Sequence, residues 1–173
     1  MPVAGLYANT RENRNELQNF GLNPIYPLTA PAGLGNFTRI FIAAHGDQSG
    51  RFIRTGPRPK ERSNFDAIAS RVEEFFGIGE DPQRATSSFD HNFLDFILNG
   101  ANLPNDATIN IMACYSGVPG GFAQELSRLR PQSRVFAANN SVNGNTYTVQ
   151  NGGNWICYEN GAVTETHGSV WNS

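Results

Sequence analysis

Apolar positions along the chain fall into short blocks separated by turn-forming residues. Two blocks stand out, Arg39-Ile-Phe-Ile-Ala-Ala44 and Thr108-Ile-Asn-Ile-Met-Ala113. Each is a run of largely apolar, partly β-branched residues that stops shortly before glycine. This is the pattern of a strand covered on both faces in a parallel sheet. It predicts strands over Thr38–Ala44 and Thr108–Ala113, with Arg134–Ala138 as a third. Between the last two, Phe122, Ala123, Leu126 and Leu129 recur at helical spacing, so Gly120–Leu129 predicts a helix and the whole a strand–helix–strand crossover unit. Upstream, Phe65, Ile68, Ala69, Val72, Phe75 and Phe76 predict an amphipathic helix over Asn64–Phe76, ended by Gly77. A second helix is predicted near Ser88–Asn99, with Ser88 as N-cap, His91 at the capping-box position, and Phe89, Phe93, Phe96 and Ile97 as its apolar face.

The two ends read differently. Thr146–Val149, Asn154–Glu159 and Ala162–Thr166 are short β runs, and Asn160-Gly161 between the last two signals a type I′ hairpin. At the other end, Val3–Ala8 reads as a short strand and Arg11–Phe20 as a helix opened by Asn9 or Thr10. Three X-Pro pairs, at Asn23-Pro24, Tyr26-Pro27 and Ala30-Pro31, then impose extended or turn geometry. Residues 1–37 are therefore expected to form a surface wrap or linker, and residues 38–173 the domain proper. Arg51–Thr55 reads as a short edge strand, and Gly56–Arg62, with two prolines and four charges, as an exposed connection. The expected architecture is α/β, with a mainly parallel central sheet followed by an antiparallel hairpin.

Composition narrows the function. At 173 residues the chain is most simply one domain. Its net charge of −2 gives no basic surface for nucleic acid or an anionic membrane. No apolar run approaches the ~18 residues that a membrane span needs. The amino terminus lacks a basic segment followed by an apolar one, so no signal peptide is expected and the location stays open. Two cysteines, Cys114 and Cys157, are too few for a disulfide framework. Without zinc-type Cys/His spacing or a glycine-rich phosphate loop, no metal or nucleotide cofactor is expected.

The candidate chemistry sits at the ends of the two leading strands. His45 follows the first and Cys114 the second, and in open α/β sheets the ligand crevice lies beyond the carboxyl ends of the strands. A thiol and an imidazole brought to one rim form a nucleophile and its general base. Alone, Cys114 would read as a buried structural thiol, and His45 as a strand-end hydrogen bonder. Cys157, in Trp-Ile-Cys-Tyr, reads as part of the sheet and His91 as a helix-start residue. Ser116 lacks the glycine two residues earlier that a hydrolase elbow needs.

An apolar block ending in His45-Gly46, a spacer, and a second block ending in Ala113-Cys114 resembles the caspase-like cysteine peptidases, the group of caspases, legumains, gingipains and clostripain. The continuation Cys114-Tyr-Ser-Gly-Val-Pro-Gly-Gly-Phe-Ala-Gln-Glu-Leu, followed by Arg134-Val-Phe-Ala-Ala, Gly152-Gly153-Asn154-Trp155 and Asn160-Gly161, looks like caspase-like domains of bacterial polymorphic toxins and the protease domain of large RTX toxins. The resemblance spans roughly residues 38–166. It implies a three-layer αβα sandwich and a thiol protease, a hydrolase that serves as a bacterial toxin or effector module and takes a protein or peptide substrate. It further implies that Cys114 attacks the scissile carbonyl, that His45 protonates the leaving amine, and that the backbone N–H groups of Gly46 and Cys114 form the oxyanion hole. Substrate contacts would come from Asn139, Asn140 and Ser141, with Asp47 orienting the imidazole or reading a basic side chain. The basic surface with which toxin proteases bind inositol hexakisphosphate has no counterpart, the densest stretch, Arg51–Arg62, holding five cations. Two other readings use the same residues: another dyad thiol hydrolase or transferase, such as a deamidase, and an inert caspase-like domain that binds a partner.

Overall fold

The computed structural model describes residues 2–8, 10–54 and 88–171. In chain order its elements are β1 (Val3–Tyr7), α1 (Arg11–Asn19), β2 (Ile25–Pro27), β3 (Arg39–Ala43), β4 (His45–Gly46), β5 (Ile53–Arg54) and β6 (Ser88–Phe89). They continue as α2 (His91–Gly100), β7 (Thr108–Met112), α3 (Phe122–Leu129), β8 (Val135–Ala138), β9 (Val142–Asn143), β10 (Thr148–Val149), β11 (Trp155–Glu159) and β12 (Ala162–His167). Seven strands make the central sheet, in the order β12-β11-β8-β7-β3-β1-β2. Every pairing from β2 to β8 is parallel, whereas β11 runs antiparallel to both β8 and β12. The protein is thus α/β with a mixed sheet.

The apolar runs that predicted the strands also dictate the layers. Side chains alternate across a pleated strand, so a run that is apolar throughout must be covered on both faces. Ile40, Ile42, Ile109 and Ile111 pack on one face with Leu94 and Leu98 of α2 and Phe122, Ala123 and Leu126 of α3. Phe41, Ala43 and Met112 pack on the other with Leu17 of α1, Trp155, and Tyr147 and Val149 from the β9–β10 hairpin. Each fully buried Ile, Leu, Phe or Met side chain among them stabilises the fold by ~1.5–3 kcal/mol relative to exposure. The parallel crossover β7-α3-β8 and the β11–β12 hairpin form as expected. Asn160 and Gly161 have φ of 47° and 79°, the two left-handed residues that a type I′ turn requires.

Residues 1–37 depart from the expected surface wrap. β1 lies inside the sheet between β2 and β3, and Ala4, Leu6, Leu17, Leu28 and Leu34 have no exposed surface. The strand and helix read there are present, and Thr10 is the cap, its hydroxyl accepting the Asn13 N–H at 3.1 Å. Gly5 lets the neighbours close in, since a Cβ there would lie 3.2 Å from Leu17 and 3.3 Å from Ile25. The start of α2 also differs. Ser88 belongs to β6, and the N-cap is Asp90, whose carboxylate accepts the Phe93 N–H at 3.0 Å. That carboxylate is the better cap because it is charged and sits against the positive end of the helix. The buried face of α2 is Leu94 and Leu98, while Phe93 and Phe96 are 47% and 74% exposed. The expected helix Asn64–Phe76 and connection Gly56–Arg62 lie outside the described residues. No helix among those described is long and apolar enough to cross a membrane.

Candidate active site

β3 and β7 are parallel neighbours with Ala43 opposite Met112. The ladder fades one step later, where the Ala44 N–H reaches the Met112 carbonyl at 3.5 Å. His45 and Cys114 each follow by two residues, so both sit just beyond the ends of neighbouring strands spaced about 4.8 Å apart. After Ala44 the chain leaves the central sheet, because His45 and Gly46 pair antiparallel with β5, which in turn pairs with β6.

The two loops beyond the strand ends are locked together. Gly46 lies against the Cys114 peptide so closely that a Cβ would overlap its carbonyl oxygen and come within 2.9 Å of its nitrogen. The bare Cα of Gly46 thus accommodates the backbone of Cys114. Gly50, at φ 68°, does the same for Tyr115 and Val118. The first N–H groups of α3 serve the same joint, Phe122 donating to the Gly50 carbonyl at 2.7 Å and Ala123 to the Ser116 carbonyl at 2.9 Å. They point at neither the sulfur nor the cleft. Ser116 is 1% exposed, and its hydroxyl donates to the Ala113 carbonyl at 2.8 Å, a turn-stabilising role. Tyr158, from β11, donates its hydroxyl to the Gly117 carbonyl at 2.9 Å. Between these anchors Tyr115 holds φ 58°. A left-handed non-glycine residue directly after a candidate nucleophile is strain held in place by its surroundings.

His45 and Cys114 both line one cleft of about 500 Å³. Ala44 and Met112 form its floor, α1 contributes Glu12, Asn15, Glu16 and Asn19 on one side, and the β9–β10 hairpin contributes Val142, Asn143, Gly144 and Asn145 on the other. Cys114 is partly buried. Its sulfur accepts the Val142 N–H at 3.3 Å and lies 3.9 Å from the Val142 carbonyl. The His45 side chain is 16% exposed, with Nε2 3.6 Å from the Glu12 carboxylate. Burial, followed by the negative charge of Glu16, pushes the Tyr147 phenol well above its usual range, so this ring under the hairpin stays neutral.

No protein-family model matches the sequence, no curated protein matches it, and no solved structure matches the fold. The reading of the site therefore rests on its own geometry. Asp47 is not among the cleft residues; its carboxylate accepts the Ser49 hydroxyl at 2.7 Å and its carbonyl the Gly50 N–H at 3.0 Å. Beside the imidazole stands Glu12 instead. Asn139, Asn140 and Ser141 lie behind the cleft wall rather than on it. The Asn139 side chain accepts the Asn154 N–H at 2.7 Å, the Asn140 carbonyl accepts the Tyr115 N–H at 3.0 Å, and the Ser141 carbonyl accepts the Gln150 N–H at 2.8 Å. The wall is formed by the next four residues. Sequence reasoning missed Glu12 and Glu16. Their signal is the spacing 12, 15, 16, 19, one polar face of a helix whose other face buries Asn13 and Leu17. Among the described residues no three His, Cys, Asp or Glu side chains converge as a metal site requires.

Proposed function

We propose that this chain is a cysteine endopeptidase of caspase-like type, with Cys114 as nucleophile and His45 as its proton-transfer partner. The observation that carries the reading is that His45 and Cys114 follow the paired ends of β3 and β7 and line one cleft at the carboxyl ends of these parallel strands. The mixed sheet with helices on both faces, and the resemblance of the two strand-end blocks, support the finer fold assignment. A thiolate is intrinsically nucleophilic and asks less of a general base than a serine would.

In this reaction His45 takes the proton of the Cys114 thiol, the sulfur adds to the scissile carbonyl carbon, and the charge passes to the carbonyl oxygen. That oxygen is received by the N–H groups of Cys114 and Gly46. The neighbouring Tyr115 and Gly117 N–H groups donate to Asn140 and Ala138. Among the described residues the Cys114 N–H makes no such bond, which suits it to the task. One backbone donor of this kind contributes ~3 kcal/mol to the transition state. The C–N bond then breaks, and His45 gives its proton to the departing amine. Water, deprotonated by His45, adds to the thioester carbon, and its collapse releases the carboxylic acid and the Cys114 thiol. The resemblance makes a target-cell protein, or the chain's own polypeptide, the expected substrate.

Iodoacetamide alkylation across pH, located by peptide mass mapping, tests the site without a known substrate. Folded protein should be modified at Cys114 and not at Cys157, and His45→Ala should change the Cys114 rate and its pH profile. Modification of Cys114 only after unfolding would end the peptidase reading. Cleavage of a denatured protein substrate should then be lost in Cys114→Ala, and retained cleavage in that variant would equally refute it.

A further inference from the structure

We infer that the sheet carries a second binding site at the amino ends of its parallel strands, opposite the candidate active site. It takes a small carboxylate with an apolar body and reads the charge with Arg39. This site shares no residue with the cleft described above and does not rest on the peptidase reading. A cavity of about 570 Å³ opens where β1 and β3 begin, walled by Val3, Phe20, Leu22, Phe37 and Phe41. Arg39 belongs to its lining as the first residue of β3, paired with Val3 of β1 on one side and Thr108 of β7 on the other. Side chains alternate across a strand, so Arg39 shares the sheet face of Phe41, the face that packs against Leu17 of α1. The chain leaving α1 turns at Gly21, φ 82°. Phe20 then packs on Phe41 with ring centroids 5.5 Å apart.

The ligand class follows from what this lining leaves unmet. Among the described residues that line the cavity, Arg39 is the one ionised side chain. It is partly buried, and its Nε is buried without a hydrogen-bond partner. No carboxylate among the described residues pairs with it. Arg130 shows the satisfied alternative, a buried guanidinium that donates to Asp95, Asn99 and two backbone carbonyls. A guanidinium N–H removed from water without an acceptor is costly. A carboxylate removes that cost, because it accepts two parallel N–H bonds from one edge of the planar fork. A cationic ligand would be repelled, and a neutral one would leave the charge unanswered. Phosphate needs more donors than the lining offers. The N–H groups of Gly21 and Leu22 already donate to the Gln18 and Leu17 carbonyls, and Pro2 and Pro24 have none. The three phenylalanine rings accept the apolar remainder of the ligand.

The test titrates isotope-labelled full-length protein with three probes and follows the amide chemical shifts. Hydrocinnamate is a carboxylate on a short phenyl-bearing chain, hydrocinnamamide is its uncharged counterpart, and inorganic phosphate is an anion without an apolar body. Hydrocinnamate should shift the amides of Gly21, Leu22 and Phe41 and bind about tenfold more tightly than the amide, or better. That preference should shrink as salt screens the contact, and Arg39→Gln should bring it toward unity. Should Arg39→Gln not fold, the salt dependence of the wild type decides. Equal affinities for acid and amide would overturn the inference, as would shifts confined to other surfaces or no shift from hydrocinnamate at ~10 mM. Phosphate binding as tight as that of hydrocinnamate would overturn it too.

Discussion

Gly46→Ala probes the joint on which the candidate site depends. An added Cβ would overlap the Cys114 carbonyl oxygen and lie 2.8 Å and 2.9 Å from the carbonyl carbon and the nitrogen of the same residue. These are backbone atoms, so no side chain can swing aside, and one strand end must move. Overpacking that forces backbone shifts costs about 1–3 kcal/mol. In a chain of 173 residues, each kcal/mol lowers Tm by ~2–4 °C, so a fall of about 2–12 °C is expected. The same displacement carries the Cys114 sulfur away from the Val142 N–H, now 3.3 Å from it, and should alter the alkylation rate of the folded protein. Gly100→Ala is the control. It ends α2 with nothing within 4 Å of the added Cβ, and alanine in place of glycine in a helix should raise stability by about 0.5–1 kcal/mol. Thermal unfolding followed by circular dichroism, with alkylation rates on the same samples, reads both effects. A Gly46→Ala protein that melts within about 1 °C of wild type and alkylates at the wild-type rate would refute the interlock.

Other outcomes follow from individual contacts. The Phe93 N–H holds the Asp90 carboxyl below its usual range. Its capping contribution should be complete above the unfolded carboxyl value, ~3.9, and lost as pH falls through the lower folded value. Asp90→Ala should cost ~1 kcal/mol at neutral pH in denaturant titrations, and Asp90→Asn should keep most of the cap while abolishing that acid limb. Arg130 is 3% exposed and donates to Asp95, Asn99 and the carbonyls of Leu103 and Pro104, so Arg130→Ala should cost ~3 kcal/mol or more by chemical denaturation. Tyr158→Phe leaves the Gly117 carbonyl without its 2.9 Å donor and should cost ~1–2 kcal/mol. Cys157 is fully buried, and burial pushes its thiol up. An aromatic disulfide reagent should therefore titrate one thiol in the folded protein and both after denaturation.

The strands that carry His45 and Cys114 were legible because an apolar run covered on both faces leaves a local mark in the sequence. The Asn160-Gly161 turn was legible for a similar reason, since left-handed backbone at two successive positions restricts the residue types there. β1 was harder. Five residues flanked by polar sequence and proline pairs read as a wrap, and only its pairing with β3, more than thirty residues away, shows it as an inner strand. α2 was misread at its face because His-Asn-Phe-Leu-Asp-Phe-Ile-Leu is apolar on several sides. Periodicity alone could not choose Leu94 and Leu98 over the phenylalanines; packing on the sheet chose them. The cleft walls were illegible because a polar helix stripe looks like any solvated face until the sheet order brings α1 beside β3.

This division follows the architecture. The residues proposed for chemistry stand at the ends of central strands, held by backbone pairing and by glycines that leave no room for side chains. The side walls of the cleft stand on α1 and the β9–β10 hairpin, which approach the strand ends from the periphery. A change at Gly46 must therefore disturb Cys114, because their backbones touch. A change at Glu16 meets Asn13 and the backbone of Gly144, contacts that do not run through the β3–β7 ladder. The walls nonetheless touch the chemistry, since Glu12 of α1 lies 3.6 Å from the His45 imidazole and the Val142 N–H of the hairpin donates to the Cys114 sulfur, so substitutions at those two positions should change the reactivity of the sulfur as well.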